Sequence, residues 1–404
     1  MQLKDFNLTP EKVKELTNKY MIETYQRFPF VAVKAKDCTV YDENGGEYLD
    51  FYGGVAVNSV GCCNEKVVAA IKDQASDIIH TFNYPYTIPQ TVLAELICEN
   101  IGMPKIFFQN SGTEANEAMI KMVRKYGVDN FGKEKYHIVS ALKSFHGRTY
   151  GALSATGQPN SVLHNGFEPM LPGFTYAEFN NLEAFKAACT ENTIGILVEP
   201  VQGEGGVFAA SQEFMVGLRK FCDEKGIFLM LDEIQTGWGR TGALMGYMNY
   251  GIKPDVVSIA KAIGGGLPLG AVCATEKLAA VFTPGTHGST YAGNPVCCAA
   301  GYAACKEILD RKLSENAKEM GAYFSEKLKT LPHVKEVRGM GLLVGVEFDF
   351  PKSADIKQAC IARKMLVTAI GTSVIRMVSP LTVTKAHCDK AVEILKAAVE
   401  EVAK

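Results

Sequence analysis

Lys261 stands in Lys253-Pro-Asp-Val-Val-Ser-Ile-Ala-Lys-Ala-Ile-Gly-Gly-Gly266, where apolar neighbours leave it little polar surface before a glycine-rich turn. Burial disfavours an ammonium, so such an amine becomes available as a neutral nucleophile. It can then join a carbonyl or pyridoxal phosphate as a Schiff base. A lysine that carries its head to solvent past a strand end would leave the same local sequence. Asp232 closes a second apolar run, Ile227-Phe-Leu-Met-Leu-Asp. A buried carboxylate needs a partner, and either a protonated cofactor ring nitrogen or a structural cation would serve. At about 4 Å and an effective dielectric near 20, a ring pair gains on the order of 4 kcal/mol. That corresponds to about three pKa units in favour of the protonated ring.

Asn110-Ser111-Gly112-Thr113-Glu114-Ala115-Asn116 follows an apolar run and opens a helical pattern. Backbone N–H groups and the helix dipole make this turn a phosphate cradle, although an ordinary N-capped helix would read the same way. Ser144-Phe145-His146-Gly147-Arg148-Thr149 offers an aromatic face beside a cation. Glu199 opens Glu-Pro-Val-Gln-Gly-Glu-Gly-Gly206, and Arg376 lies within apolar Val374-Ile-Arg-Met-Val-Ser-Pro380.

The elements that must position these residues follow from periodicity. Thr9-Pro10 reads as a helix start, with the helix running to about Tyr25. Short strands are expected at 31–35, 39–41 and 47–51, with Asn44-Gly45-Gly46 as a turn. Apolar strands at 106–108, 137–139, 194–198, 227–231, 256–259 and 271–274 alternate with helices, as in a mainly parallel sheet covered on both faces. Ligands of such sheets sit at strand C-terminal ends, where Asp232 and Lys261 fall. The helix after Ser111 should end at Gly127. Beyond about Ala304 the sequence reads as a charged helix, a Gly339-Met-Gly341 turn, a strand at 342–348, and a final helix capped by Thr384. The expected division is 1–58, an N-terminal segment of a small domain; 59–304, a large domain; and 305–404, the C-terminal part of the small domain.

The 404 residues can bury a large core. A formal net charge of -2, without long runs of one sign, points to neither a nucleic-acid nor a membrane partner. The 12 cysteines include no C-x-x-C pair, so neither a metal site nor thiol redox chemistry is expected. They fit a reducing cytoplasm, and the N-terminus has no apolar signal-like core.

The ordered set Ser-Gly-Thr-Glu-Ala-Asn, Phe-His-Gly-Arg-Thr, Glu-Pro-Val-Gln-Gly-Glu-Gly-Gly, Asp-Glu-Ile-Gln-Thr-Gly-Trp-Gly-Arg-Thr-Gly, Ala-Lys-Ala-Ile-Gly-Gly-Gly and His-Gly-Ser-Thr-Tyr-Ala-Gly-Asn-Pro resembles the class III (omega) aminotransferases. The similarity runs from about Tyr20 to Pro380. It implies the fold type I architecture of pyridoxal-phosphate-dependent transferases, with a large domain and a smaller α+β domain from both termini. Lys261 would then be the Schiff-base lysine and proton shuttle, and Asp232 the partner of the pyridine nitrogen. Phe145 and Ile234 would cover the two ring faces, with His146 nearby and Gln235 at the phenolic oxygen. Ser111, Gly112 and Thr113 would hold the phosphate, joined by Thr290 from the neighbouring subunit of a homodimer.

For substrates the resemblance implies Arg148 and Arg376 as carboxylate ligands, with Ser289 close by. Glu199 would pair with Arg376 when the substrate lacks a carboxylate beside its reacting carbon. Family enzymes acting on ornithine carry a tyrosine where Gly54 stands, and glycine leaves room for an acyl group. The expected reaction is therefore transfer of the delta-amino group of N2-acetylornithine to 2-oxoglutarate, giving N-acetylglutamate 5-semialdehyde and glutamate. Ornithine, succinylornithine, N-acetyl-lysine-type and 4-aminobutyrate substrates remain alternatives, as do a mutase or decarboxylase on the same fold and a non-catalytic nucleotide-binding or scaffold protein. Gly61-Cys62-Cys63-Asn64-Glu65 departs from the Gly-His-x-His-Pro usual in this family, and Ala292 replaces a usual glycine.

Overall fold

The structure is a computed structural model and describes residues 3–404. Helix α1 (Pro10–Tyr20) starts as expected, with the Thr9 side chain accepting from the Lys12 N–H. It ends at Tyr20 rather than Tyr25. No residue of α1 is buried, so only local propensity extends it, and Ile22 and Thr24 are weak helix formers. Strands β1 (Ala32–Lys36), β2 (Thr39–Asp42) and β3 (Glu47–Asp50) form an antiparallel ribbon. Asp42 fixes its turn by accepting from Asn44 and Gly46 N–H groups at 2.9 and 2.7 Å.

The central sheet has seven strands. They are β4 (Lys105–Gln109), β5 (His137–Ala141), β6 (Phe174–Ala177), β7 (Thr193–Val198), β10 (Phe228–Asp232), β11 (Val256–Ile259) and β12 (Gly270–Ala274), in the order β4-β12-β11-β10-β7-β5-β6. A small hairpin, β8 (Val201–Gln202) with β9 (Phe208–Ala209), lies between β7 and β10 in the chain. The sheet is mainly parallel as expected, and β12 is the exception, antiparallel to both β4 and β11. Edge strand β6 was not expected: its half-exposed Phe-Thr-Tyr-Ala lacks the continuous apolar run of its neighbours.

Every residue of β7, β10, β11 and β12 is buried, and successive side chains alternate between two cores. Leu229, Leu231, Val257 and Ile259 join the larger core with Leu93 and Ile97 of helix α2 (Ile88–Ile101). Phe228, Met230 and Val256 join the other, against Ala118, Met119 and Met122 of helix α3 (Gly112–Phe131). Helix α3 does not stop at Gly127 but passes through it. A Cβ there would lie 2.0 Å from the Lys135 carbonyl oxygen, so this glycine serves close packing rather than termination.

Helix α4 (Pro295–Asp310) runs through Ala304, so the expected boundary falls inside a helix. A further sheet, β13-β14-β17-β16, follows. Strand β13 (Val334–Met340) was not anticipated. It pairs with β14 (Leu343–Phe348) and takes in Gly339 and Met340, which moves the turn to Gly341-Leu342. Strand β15 (Met365–Leu366) runs parallel to β3 and completes the N-terminal ribbon. Strands β16 (Thr368–Ile370) and β17 (Val374–Met377) complete the C-terminal sheet, with Gly345 of β14 opposite Arg376 of β17. Helix α5 (Lys385–Val402) buries Ala391, Ile394, Leu395, Ala398 and Val399 behind the Thr384 cap, as its spacing predicts. Among the described residues, no helix is long and apolar enough to cross a membrane.

Candidate active site

A cavity of about 470 Å³ opens at the C-terminal ends of β10, β7 and β11. It brings together Ser111, Gly112, Thr113, Phe145, His146, Arg148, Glu199, Asp232, Ile234, Gln235 and Lys261, most of the residues singled out by sequence. Ser111 caps α3, its Oγ accepting from the Glu114 N–H at 3.3 Å. The N–H groups of Gly112 and Thr113, in the first turn, have no intrahelical acceptor and suit an anion. Gly112 packs under Ile234, where a Cβ would come within 2.8 Å of the isoleucine Cδ1.

Asp232 ends β10 and is almost completely buried. Its Oδ2 accepts from Asn116 Nδ2 at 2.7 Å and faces His146 Nδ1 at 2.8 Å, while Oδ1 accepts from the Ile234 N–H at 3.0 Å. Asn116 is itself oriented by Ser258, which donates to its Oδ1 at 2.7 Å. These supports hold the carboxylate in one orientation. Apolar patterning gives Asn116 no role. Its signal is helical spacing: three residues beyond Thr113, it turns inward toward the sheet.

Lys261 has φ 51, a left-handed conformation costly for a residue with a Cβ. It lies just beyond β11 and ahead of Gly264, Gly265 and Gly266. Its amine has no ion-pair partner within 4.0 Å among the described residues. Burial pushes its pKa below that of an ordinary lysine. Glu204, Asp232 and Glu199 oppose the shift, and Arg376 reinforces it.

The expected pairing of Glu199 with Arg376 is not what the structure contains. Arg376 instead pairs through Nη1 with Glu204, and the same nitrogen donates to the Gly203 carbonyl at 3.1 Å. Glu199, immediately past β7, is directed toward the 144–146 segment and accepts from the Phe145 N–H at 3.1 Å. Burial, reinforced by Asp232 and Glu204, raises the Glu199 pKa well above the carboxylate range. Burial works against the Glu204 charge too, but Arg376 holds its pKa below the usual value. Glu204 lines the cavity and Arg376 stands behind it. Glu204 was missed because its sequence context resembles that of Glu199, and a strand-end pattern does not reveal which carboxylate turns toward β17.

Gln235 Nε2 donates to Glu204 at 3.3 Å, while its buried Oε1 has no partner among the described residues. Arg148 lies over the Phe145 ring, 5.6 Å from its centroid. Ser289 and Thr290 do not line this chain's own cavity. Ser289 Oγ accepts from Asn110 Nδ2 at 3.0 Å, and Thr290 is exposed. Gly54 does not line it either. It borders a separate cavity of about 910 Å³ with Tyr25, Tyr52 and Thr368, and Thr368 accepts from Arg376 Nε at 3.2 Å.

The family model described as aminotransferase class-III matches residues 20–399. The chain belongs to the class III aminotransferases. Among similar relatives, the acetylornithine aminotransferase of Caldanaerobacter subterraneus subsp. tengcongensis is 44% identical, with 95% of this chain and 98% of that protein covered. That of Methanocaldococcus jannaschii is 42% identical over 98% and 100%. Among solved structures, the ornithine aminotransferase of Toxoplasma gondii, described with partial occupancy of pyridoxal phosphate at its active site, superposes with a TM-score of 0.92. The two chains are 31% identical over 98% of this chain and 96% of that one.

This class III aminotransferase is a pyridoxal-phosphate-dependent transaminase, and its fold is that of fold type I. The cavity fits the cofactor. An unpaired amine, a braced carboxylate, an orphaned Gln235 Oε1 and an open helix N-terminus line one space. Gly147 tests the end of the cavity at the α3 N-terminus. Its φ is +140, and a Cβ would meet Thr113 Oγ1 at 2.1 Å, the atom that also accepts from the Arg148 N–H at 3.3 Å. Gly147→Ala is expected to weaken cofactor binding by about tenfold or more, the scale of one lost charge-assisted contact. An absorbance titration of the apoprotein checks this.

Proposed function

We propose that the chain transfers the delta-amino group of N2-acetyl-L-ornithine to 2-oxoglutarate, yielding N-acetyl-L-glutamate 5-semialdehyde and L-glutamate, a reaction of arginine biosynthesis. The observation that carries this reading is Glu204 covering Arg376. Glutamate has a carboxylate beside its reacting carbon and an omega-amine does not. With Glu204 in place, Arg376 stays neutralised while the omega-amine occupies the cavity. When glutamate or 2-oxoglutarate enters, Glu204 swings away and Arg376 takes the substrate carboxylate in a bidentate grip. Arg148, which also lines the cavity, receives the distal carboxylate. The names of the relatives support an acylated amine.

Pyridoxal phosphate supplies the electron sink that stores the amino group between half-reactions. Lys261 would hold the cofactor, and its amine would carry the proton at the substrate's reacting carbon. Asp232 would keep the ring nitrogen charged, Phe145 and Ile234 would flank the ring, Gln235 would serve the phenolic oxygen, and Ser111, Gly112 and Thr113 would hold the phosphate. Glu199 fixes the Phe145 backbone and does not act as the switch.

The working unit in this reading is a cytoplasmic homodimer in which Thr290 serves the neighbouring subunit's phosphate. Exposed Ile79, Tyr84, Tyr86, Ile88 and Tyr291 support it, since a monomer rarely leaves so much aromatic surface in water. Asn83 and Asn294 bind the 79–90 segment to the loop bearing Thr290, through the Ala292 and Ile79 carbonyls at 2.9 and 2.8 Å.

Glu204→Ala tests the switch. Arg376 would be left buried and unpaired with the omega-amine, so that half-reaction should slow by about a hundredfold, on the scale of an orphaned buried charge. The glutamate half-reaction should hold or improve. Single-turnover bleaching of the bound cofactor with N-acetylornithine and with glutamate reads both, and parallel losses would count against the role. Bleaching by ornithine or 4-aminobutyrate as fast as by N-acetylornithine would refute the substrate.

A further inference from the structure

One buried cation has no part in the scheme above. Arg240, in the segment between β10 and β11, is 1% exposed. Its Nη1 donates to the carbonyls of Leu342, at 3.1 Å, and Ser379, and its Nη2 donates to Ser59 Oγ at 3.3 Å. Its own carbonyl accepts from the Leu342 N–H at 3.0 Å. Burial disfavours the charge, Asp50 offsets it in part, and Arg240 Nε has no partner among the described residues. Burying a guanidinium without a carboxylate in contact is unfavourable, and an apolar side chain would fill the space more cheaply.

The three acceptors lie on segments that build the substrate side of the cavity. Leu342 leads into β14, which pairs with β17 at Arg376, and Ser379 lies just beyond β17. Ser59 follows a left-handed turn at Gly53, Gly54, Val55 and Ala56, whose φ values are 56, 60, 58 and 69. Asp50 braces the start of that turn, accepting from the Tyr52 and Gly53 N–H groups at 3.1 and 2.7 Å. Val57, next along, lines the cavity. The turn is also stitched to the strand end, through Val378 N–H to the Phe51 carbonyl at 2.8 Å and Leu381 N–H to the Ser59 carbonyl at 2.9 Å. Lys261, Asp232 and the phosphate cradle belong to the other side, the central sheet.

We propose that Arg240 is a positioning residue for substrate: its fork locks the strand carrying Arg376 and the turn before Val57 onto the segment that follows Asp232. The inference rests on the reading that Arg376 receives the substrate carboxylate. A planar guanidinium can hold these separate oxygens in one geometry, and a lysine cannot.

Arg240→Lys keeps the charge and loses the fork. KM for glutamate and 2-oxoglutarate should rise about tenfold or more, the scale of one charge-assisted hydrogen bond. The value of kcat should change less than about threefold, as for a loss of uniform binding, and cofactor affinity of the apoprotein should stay at the wild-type value. Unchanged KM in a folded variant, or a parallel loss of cofactor affinity and kcat, would overturn the proposal. If Arg240→Lys does not fold, Ser59→Ala removes a single acceptor and should raise KM about two- to threefold, within the range of a weak hydrogen bond; unchanged KM there overturns it equally. Arg376→Lys separates the two ideas. If that variant binds glutamate normally, the carboxylate role of Arg376 fails and this inference with it; if it binds poorly while Arg240→Lys does not, only the positioning role fails.

Discussion

Lys261→Ala should reduce transamination by about 10⁴-fold or more, because in the proposed reading it removes both the covalent anchor and the proton carrier. Borohydride should no longer fix the cofactor to the chain, a result independent of turnover. Stability should be nearly unchanged, since the amine has no ion-pair partner within 4.0 Å among the described residues to be orphaned. The wild-type pH dependence has a defined direction. Burial lowers the Lys261 pKa below 10.5, so the free amine gains population as pH rises. Attachment of cofactor to apoprotein should therefore reach its half-point below the pH of an ordinary lysine. A half-point above 10.5 would contradict the electrostatics of the cavity.

Asp232→Asn is the second large effect. The carboxylate is worth about three pKa units to a ring nitrogen beside it, so the proton-abstraction step should slow by about 10³-fold. His146 and Asn116, which donate to Asp232 at 2.8 and 2.7 Å, would meet an amide in place of an anion. KM should move far less than kcat. The absorbance of the bound cofactor should change its pH response, which a purely structural defect would not produce. Retention of wild-type kcat would remove Asp232 from the chemistry.

Residues that need a partner were the ones most legible in the sequence. Lys261 and Asp232 stood out because charge at the end of an apolar strand demands an explanation, and the cavity brings them together. Glu199 and Glu204 show where that reasoning stops. Both follow β7 within one glycine-rich stretch, and only the hairpin β8–β9 decides that Glu204 meets Arg376. Gly127 was read as a helix end because glycine disfavours helix, yet the Lys135 carbonyl leaves no room for a Cβ there. Strand β13 escaped notice because its half-exposed residues lack an apolar run. Each miss depends on a tertiary contact, of Glu204 with Arg376, of Gly127 with Lys135 and of β13 with β14, which apolar periodicity does not record.

Strand β4 leads directly into the phosphate cradle and has a single neighbour in its sheet, β12. Gly270 of that neighbour pairs with Gln109, and a Cβ on it would press within 2.4 Å of the Ser111 carbonyl. During synthesis the cradle therefore emerges early and stays unbraced until the segment around Gly270 has left the ribosome and folded back beside it. Long-range pairing of this kind is the slow part of folding. The cradle is therefore complete only once β12 has paired with β4, a contact between segments far apart in the chain.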